Sequence, residues 1–101
     1  MTDEPMELVR GSGDLYADFG APDAVLRQTR ALLAAEIVRT LEADGMSVRA
    51  AHALTGVAAA DFSRLRQARL DRFTIDRLIT ILARLGREVE VSVVPAKRDA
   101  A

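Results

Sequence analysis

Ala60, Ser63, Arg64 and Gln67 recur at i, i+3, i+4 and i+7, so they share one face of a short helix. Phe62 and Leu65, three residues apart, fall on the neighbouring face and suit a core. The polar set matches the chemistry of base edges in double-stranded DNA. An arginine at position 64 can take both major-groove acceptors of guanine, a glutamine at 67 can pair with adenine, and Ser63 can serve a base or a phosphate. Small residues at Ala59 and Ala60 let the backbone of the leading turn approach the duplex closely. This chemistry is recognition by hydrogen bonds, with no bond made or broken.

A second set of residues suits anchoring to phosphate. Ser47 and Arg49 open one short helix, and Arg66, Arg69 and Arg72 follow the reading face. Asp61 stands awkwardly among them for a polyanionic partner. A structural role, favouring the helix start or orienting Arg64, is preferred over acceptance from cytosine N4. The formal net charge is −1, but it is unevenly spread. Residues 1–24 hold six acids and one arginine, whereas residues 25–78 hold nine arginines and six acids, net +3.

Other chemistries find no footing. There is no cysteine, which rules out disulfides and thiolate metal sites and fits a reducing cytoplasm. His52 is the only histidine and has no partner at metal or acid–base spacing. No nucleophile elbow, P-loop or dinucleotide fingerprint is present, and Gly11-Ser12-Gly13 is too short to cradle a phosphate. The reading is therefore of a chain that is not an enzyme and takes no cofactor or metal. No apolar run approaches a membrane span, and the acidic opening residues do not read as a signal peptide.

The elements that must position these residues are mostly helical. Residues 23–44 read as a long helix, with Leu26, Leu33, Ile37 and Leu41 as its stripe and Gly45 as its stop. Ser47 caps a helix over 48–55, Gly56 turns the chain, and a third helix follows over 59–68. Thr74 caps a fourth over 75–85, closed by Gly86. Residues 46–78 thus have the outline of a helix-turn-helix. Residues 88–93 then alternate polar and apolar, as a half-buried strand does. A lone strand needs a partner, and none is evident, so Val89, Val91 and Val93 are read as a dimerisation edge between two subunits. Pairing with the arm around residues 6–9 is the lesser alternative.

The domain division that follows is an acidic mobile arm over 1–22, a DNA-binding domain over 23–87, a dimerising strand over 88–95 and a disordered tail over 96–101. Leu15, Tyr16 and Phe19 form an apolar patch that pins the arm to the body.

The run LYADFGAPDA, the segment SVRAAHALTGVAAADFSRLRQARLDRFTIDRL and the closing GREVEVSVVP together resemble the Xre/Cro-type helix-turn-helix proteins of the HigA kind. The likeness spans about residues 15–95 and is most specific at Ala60-Asp61-Phe62-Ser63-Arg64 and at 72–78. It implies a mainly helical bundle, a homodimer on a palindromic operator, and an antitoxin that represses its own operon. It also implies a partner toxin of the RelE/HigB ribonuclease fold. Carried over by position, Ser63, Arg64 and Gln67 match the DNA-facing side of the reading helix, and Ser47 matches the cap of the helix before it. The alternative function is a protein-interaction antitoxin or adaptor that binds such a toxin through its acidic arm or edge strand, with little DNA binding of its own.

Overall fold

The computed structural model describes residues 6–8 and 22–96. Four helices follow a short strand and precede another: β1 (Met6–Leu8), α1 (Pro22–Ala43), α2 (Val48–Thr55), α3 (Ala59–Arg66), α4 (Ile75–Arg84) and β2 (Val89–Val91). The expected apolar patch at Leu15, Tyr16 and Phe19 and the end of the tail lie outside the described residues.

α1 is the backbone of the bundle, packing along α4 and α3. Leu33, Ile37 and Leu41 are buried on its inner stripe, and Leu32 and Val38 flank them. Leu26, expected in the same stripe, is 46% exposed. A 22-residue helix extends about 33 Å and the 10-residue α4 about 15 Å, so α4 cannot cover the whole length of α1. Two buried threonines in α1 satisfy their hydroxyls within the helix, Thr29 on the Val25 carbonyl and Thr40 on that of Glu36, both at 2.8 Å.

Phe62 of α3 sits at the centre of the core with no exposed surface, joined by Leu65, Phe73, Leu78, Ile81, Leu82 and Leu85. Burying one such side chain contributes about 1.5–3 kcal/mol relative to leaving it in water. Most of the described core is aliphatic, as the aromatic-poor composition requires.

All four described helices close through left-handed residues. Gly45 and Gly86 end α1 and α4 at φ 60° and 86°. In each case the next N–H reaches back five residues, Met46 to Leu41 and Arg87 to Leu82. α3 closes in the same way, with Arg69 N–H on the Arg64 carbonyl, but the left-handed residue is Ala68 at φ 59°. The reading helix therefore stops at Arg66, two residues short of the expected end, and no glycine marks the place.

β2 is shorter than the predicted strand, and its partner differs from the one expected. Met6–Leu8 pairs with it in parallel, Met6 opposite Val89 and Leu8 opposite Val91, within one chain. The pairing is the one expected as the lesser alternative, with the arm around residues 6–9, and it replaces the second subunit as the partner of these residues. Val89 packs on the bundle, whereas Val91 is 63% and Val93 is 93% exposed.

Candidate nucleic-acid interface

The turn between α2 and α3 is built by short polar side chains. Ser47 is extended, and its Oγ accepts the Ala50 N–H at 3.0 Å, starting α2 at a defined residue. Ala51 has no exposed surface, which allows a close helix–helix contact. At the other end Thr55 donates its hydroxyl to the Ala51 carbonyl at 2.7 Å and accepts the Val57 N–H at 3.1 Å. Gly56 takes φ 79°, a conformation that costs a side-chain-bearing residue energy. His52 Nδ1 lies 2.8 Å from the Val57 carbonyl. A carbonyl only accepts, so Nδ1 carries the proton and His52 is a turn staple. Arg84 of α4 adds a hydrogen bond to the Thr55 carbonyl at 3.2 Å, fixing the turn to the bundle.

With Val57 buried, α3 leaves the turn in one direction. Its inner side carries Asp61, Phe62 and Leu65, all buried. Its outer side carries Ala60 and Gln67, exposed, with Ala59, Ser63 and Arg64 half-buried beside them. Phe62 and Leu65 are buried where spacing put them in the core, and Gln67 stands one residue past the end of α3. Ser47 and Arg49 are exposed at the head of α2, and Arg69 and Arg72 are exposed in the loop after α3. Arg66 is exposed too, and its guanidinium reaches the Met46 carbonyl at 3.4 Å, beside the start of α2.

Asp61 is the residue whose role the geometry sharpens most. Its side chain is 10% exposed and both oxygens are engaged. Oδ1 accepts from Arg64 at 2.8 Å and Oδ2 from Arg77 of α4 at 2.7 Å. No side chain caps α3, whose N-cap is Ala58. Asp61 thus has both structural roles expected of it, since it stands in the first turn of α3, where a carboxylate favours the helix start, and it pairs with Arg64. Arg77 was not among the residues singled out by spacing. Its guanidinium lies 5.5 Å from the centre of the buried Phe73 ring, within cation–π range. The available signal was an acid on the inner side of a reading helix, which needs cations to be tolerated there.

Among the described residues no helix is long and apolar enough to cross a membrane. The chain matches a family described as a helix-turn-helix domain over residues 15–94. No curated protein and no solved structure gives a match. The match covers most of the sequence and contains every described helix, and the helix-turn-helix is a DNA-binding unit. The chain belongs to the helix-turn-helix domain family.

Proposed function

We propose that this chain is a sequence-specific transcriptional regulator that binds a palindromic operator as a homodimer, represses its own operon, and serves there as the antitoxin of a type II toxin–antitoxin pair. The observation that carries the DNA reading is the outer face of α3, where Ala60, Ser63, Arg64 and Gln67 stand clear of the core while Phe62 and Leu65 anchor it. Ser63, Arg64 and Gln67 read base edges in the major groove, and Ser47, Arg49, Arg66, Arg69 and Arg72 hold the phosphates on either side. Ala59 and Ala60 permit the close approach. The antitoxin role rests on the HigA-like sequence runs, and a reading frame for a small ribonuclease-type toxin beside this gene is its expected companion.

Binding of the full chain to its own upstream DNA tests the proposal. Affinity should fall steeply as salt rises, because released counterions drive phosphate binding. A chain with neither affinity nor salt dependence is not a regulator of this kind. The exposed Val91 and Val93 favour a second reading, a protein-binding antitoxin that works through its strand edge. Co-purification with the neighbouring toxin but no DNA binding would select it.

A further inference from the structure

We infer that Asp61 is a positioning residue for base recognition: held from below by Arg77, it fixes Arg64 in one rotamer for a guanine edge. The inference rests on the DNA reading above and goes further, because it assigns a recognition role to two residues that touch no base.

An acid and an arginine three residues apart on a helix surface ordinarily form a loose pair of little consequence. This pair is different in three respects. The Asp61 side chain is 10% exposed, so water competes poorly for it. Its second oxygen is bound at 2.7 Å by Arg77, sixteen residues away on another helix, so the carboxylate cannot turn. Arg77 is in turn seated over the Phe73 ring. The orientation of Arg64 is therefore set by an ion pair that ties α3 to α4.

Asp61 engages only Nη1 of Arg64. The edge formed by Nε and Nη2 keeps two parallel N–H groups, a fork that fits the N7 and O6 acceptors of guanine. A side chain already ordered loses little rotamer freedom on binding. The carboxylate, meanwhile, repels the duplex as a whole. Asp61 should thus weaken binding to all DNA slightly while strengthening preference for one base, and these two effects separate on mutation.

A randomised duplex pool selected by the full chain supplies a preferred duplex and an unrelated control. In Asp61→Asn the ratio of preferred to control affinity should fall by about tenfold or more, the scale of one bidentate base contact. Control affinity should hold or rise. In an Arg64→Ala background Asp61→Asn should change the ratio no further. An unchanged ratio, or a loss that persists without Arg64, overturns the inference. If Asp61→Asn fails to fold by circular dichroism, Arg77→Gln replaces it, since Arg77 is 42% exposed and lies outside the core. Arg77→Gln should lower the ratio several-fold, again only when Arg64 is present. Guanidinium resonances of the free protein give an independent readout. Rotation at Arg64 should be slow in the wild type and fast in either variant, and free rotation in the wild type overturns the inference without DNA. Failure of the wild type to enrich any sequence refutes the regulator reading instead, so the two failures are distinct.

Discussion

Arg64 and Arg69 both leave the end of the reading helix with their charges intact, yet they should fail differently when truncated. Arg64 stands on the α3 face and is aimed by Asp61, whereas Arg69 is exposed in the following loop with no side-chain partner among the described residues. Arg64→Ala should cost about 1–3 kcal/mol on the preferred duplex and relax selection at one base pair. Arg69→Ala should weaken all duplexes alike and reduce the salt slope by about one. Fluorescence anisotropy across a salt series on both duplexes reads the two patterns, and identical losses would remove the distinction between reading and anchoring. Ala68 raises a stability question at the same scale. A left-handed backbone costs an L-residue about 1–2 kcal/mol that glycine does not lose. Ala68 at φ 59° occupies the position that Gly45 and Gly86 fill at the ends of α1 and α4. Ala68→Gly should raise unfolding stability by about 1 kcal/mol in urea melts, with an unchanged slope. Gly45→Ala, where a methyl group meets open space but φ is 60°, should lower it by a similar amount. Stabilisation by both changes would contradict the argument from backbone strain.

Among the elements, those with strong local signals were legible. Ser47 and Thr74 start α2 and α4 where a hydroxyl can accept an orphan N–H, and the period of Leu33, Ile37 and Leu41 marks α1. The elements that depend on distant partners were not. β1 is three residues long, too short for alternation to show, and it forms because β2 lies beside it. The end of α3 carries no glycine, and its closure is visible only in the backbone bonds around Ala68. The outer face of α3 followed from spacing alone, but the Asp61–Arg77 contact joins residues sixteen positions apart and has no local signature. α4 offers a test of its cap. The Thr74 Oγ accepts the Arg77 N–H at 3.2 Å. The hydrogen bond from the Thr74 side chain, with backbone N–H groups of Asp76 and Arg77, holds the Asp76 carboxyl below the usual aspartate range despite the exposed site. Its stabilising effect is therefore complete above the unfolded-state value and is lost as pH falls through the lower folded value. Thr74→Ala should cost about 0.5–2 kcal/mol near neutral pH. Titrating Asp76 by NMR in this variant should show its pKa moving back up, and an unmoved value would show that the backbone alone sets it.

At the scale of the whole molecule, charge and symmetry have to be considered together. The chain is net −1, so attraction to DNA depends on how the arginine-rich helices are turned toward the duplex and not on total charge. One α3 offers few base-reading groups, and two copies on a palindrome would double them. The two-stranded sheet is where a second copy has the most to gain. β1 satisfies one edge of β2, and two strands alone make a marginal sheet. Val91 and Val93 leave apolar surface beside that sheet, which pairing with another copy would cover. The choice of variant matters. Val91 stands in register with Leu8, so Val91→Pro disturbs the intrachain pairing as well as any interface. Val93 lies past the paired residues at 93% exposed, and Val93→Asp adds a charge there without touching that pairing. Sedimentation equilibrium should give the wild type twice the 10.9 kDa chain mass and Val93→Asp the single mass. Wild-type melting temperature should rise with protein concentration, as it does for a dimer that stabilises its folded chains, and the dependence should vanish in the variant. A duplex carrying a single half-site should then bind both proteins alike, while a palindromic duplex should favour the wild type. Equal masses for the two proteins would move the interface away from this strand.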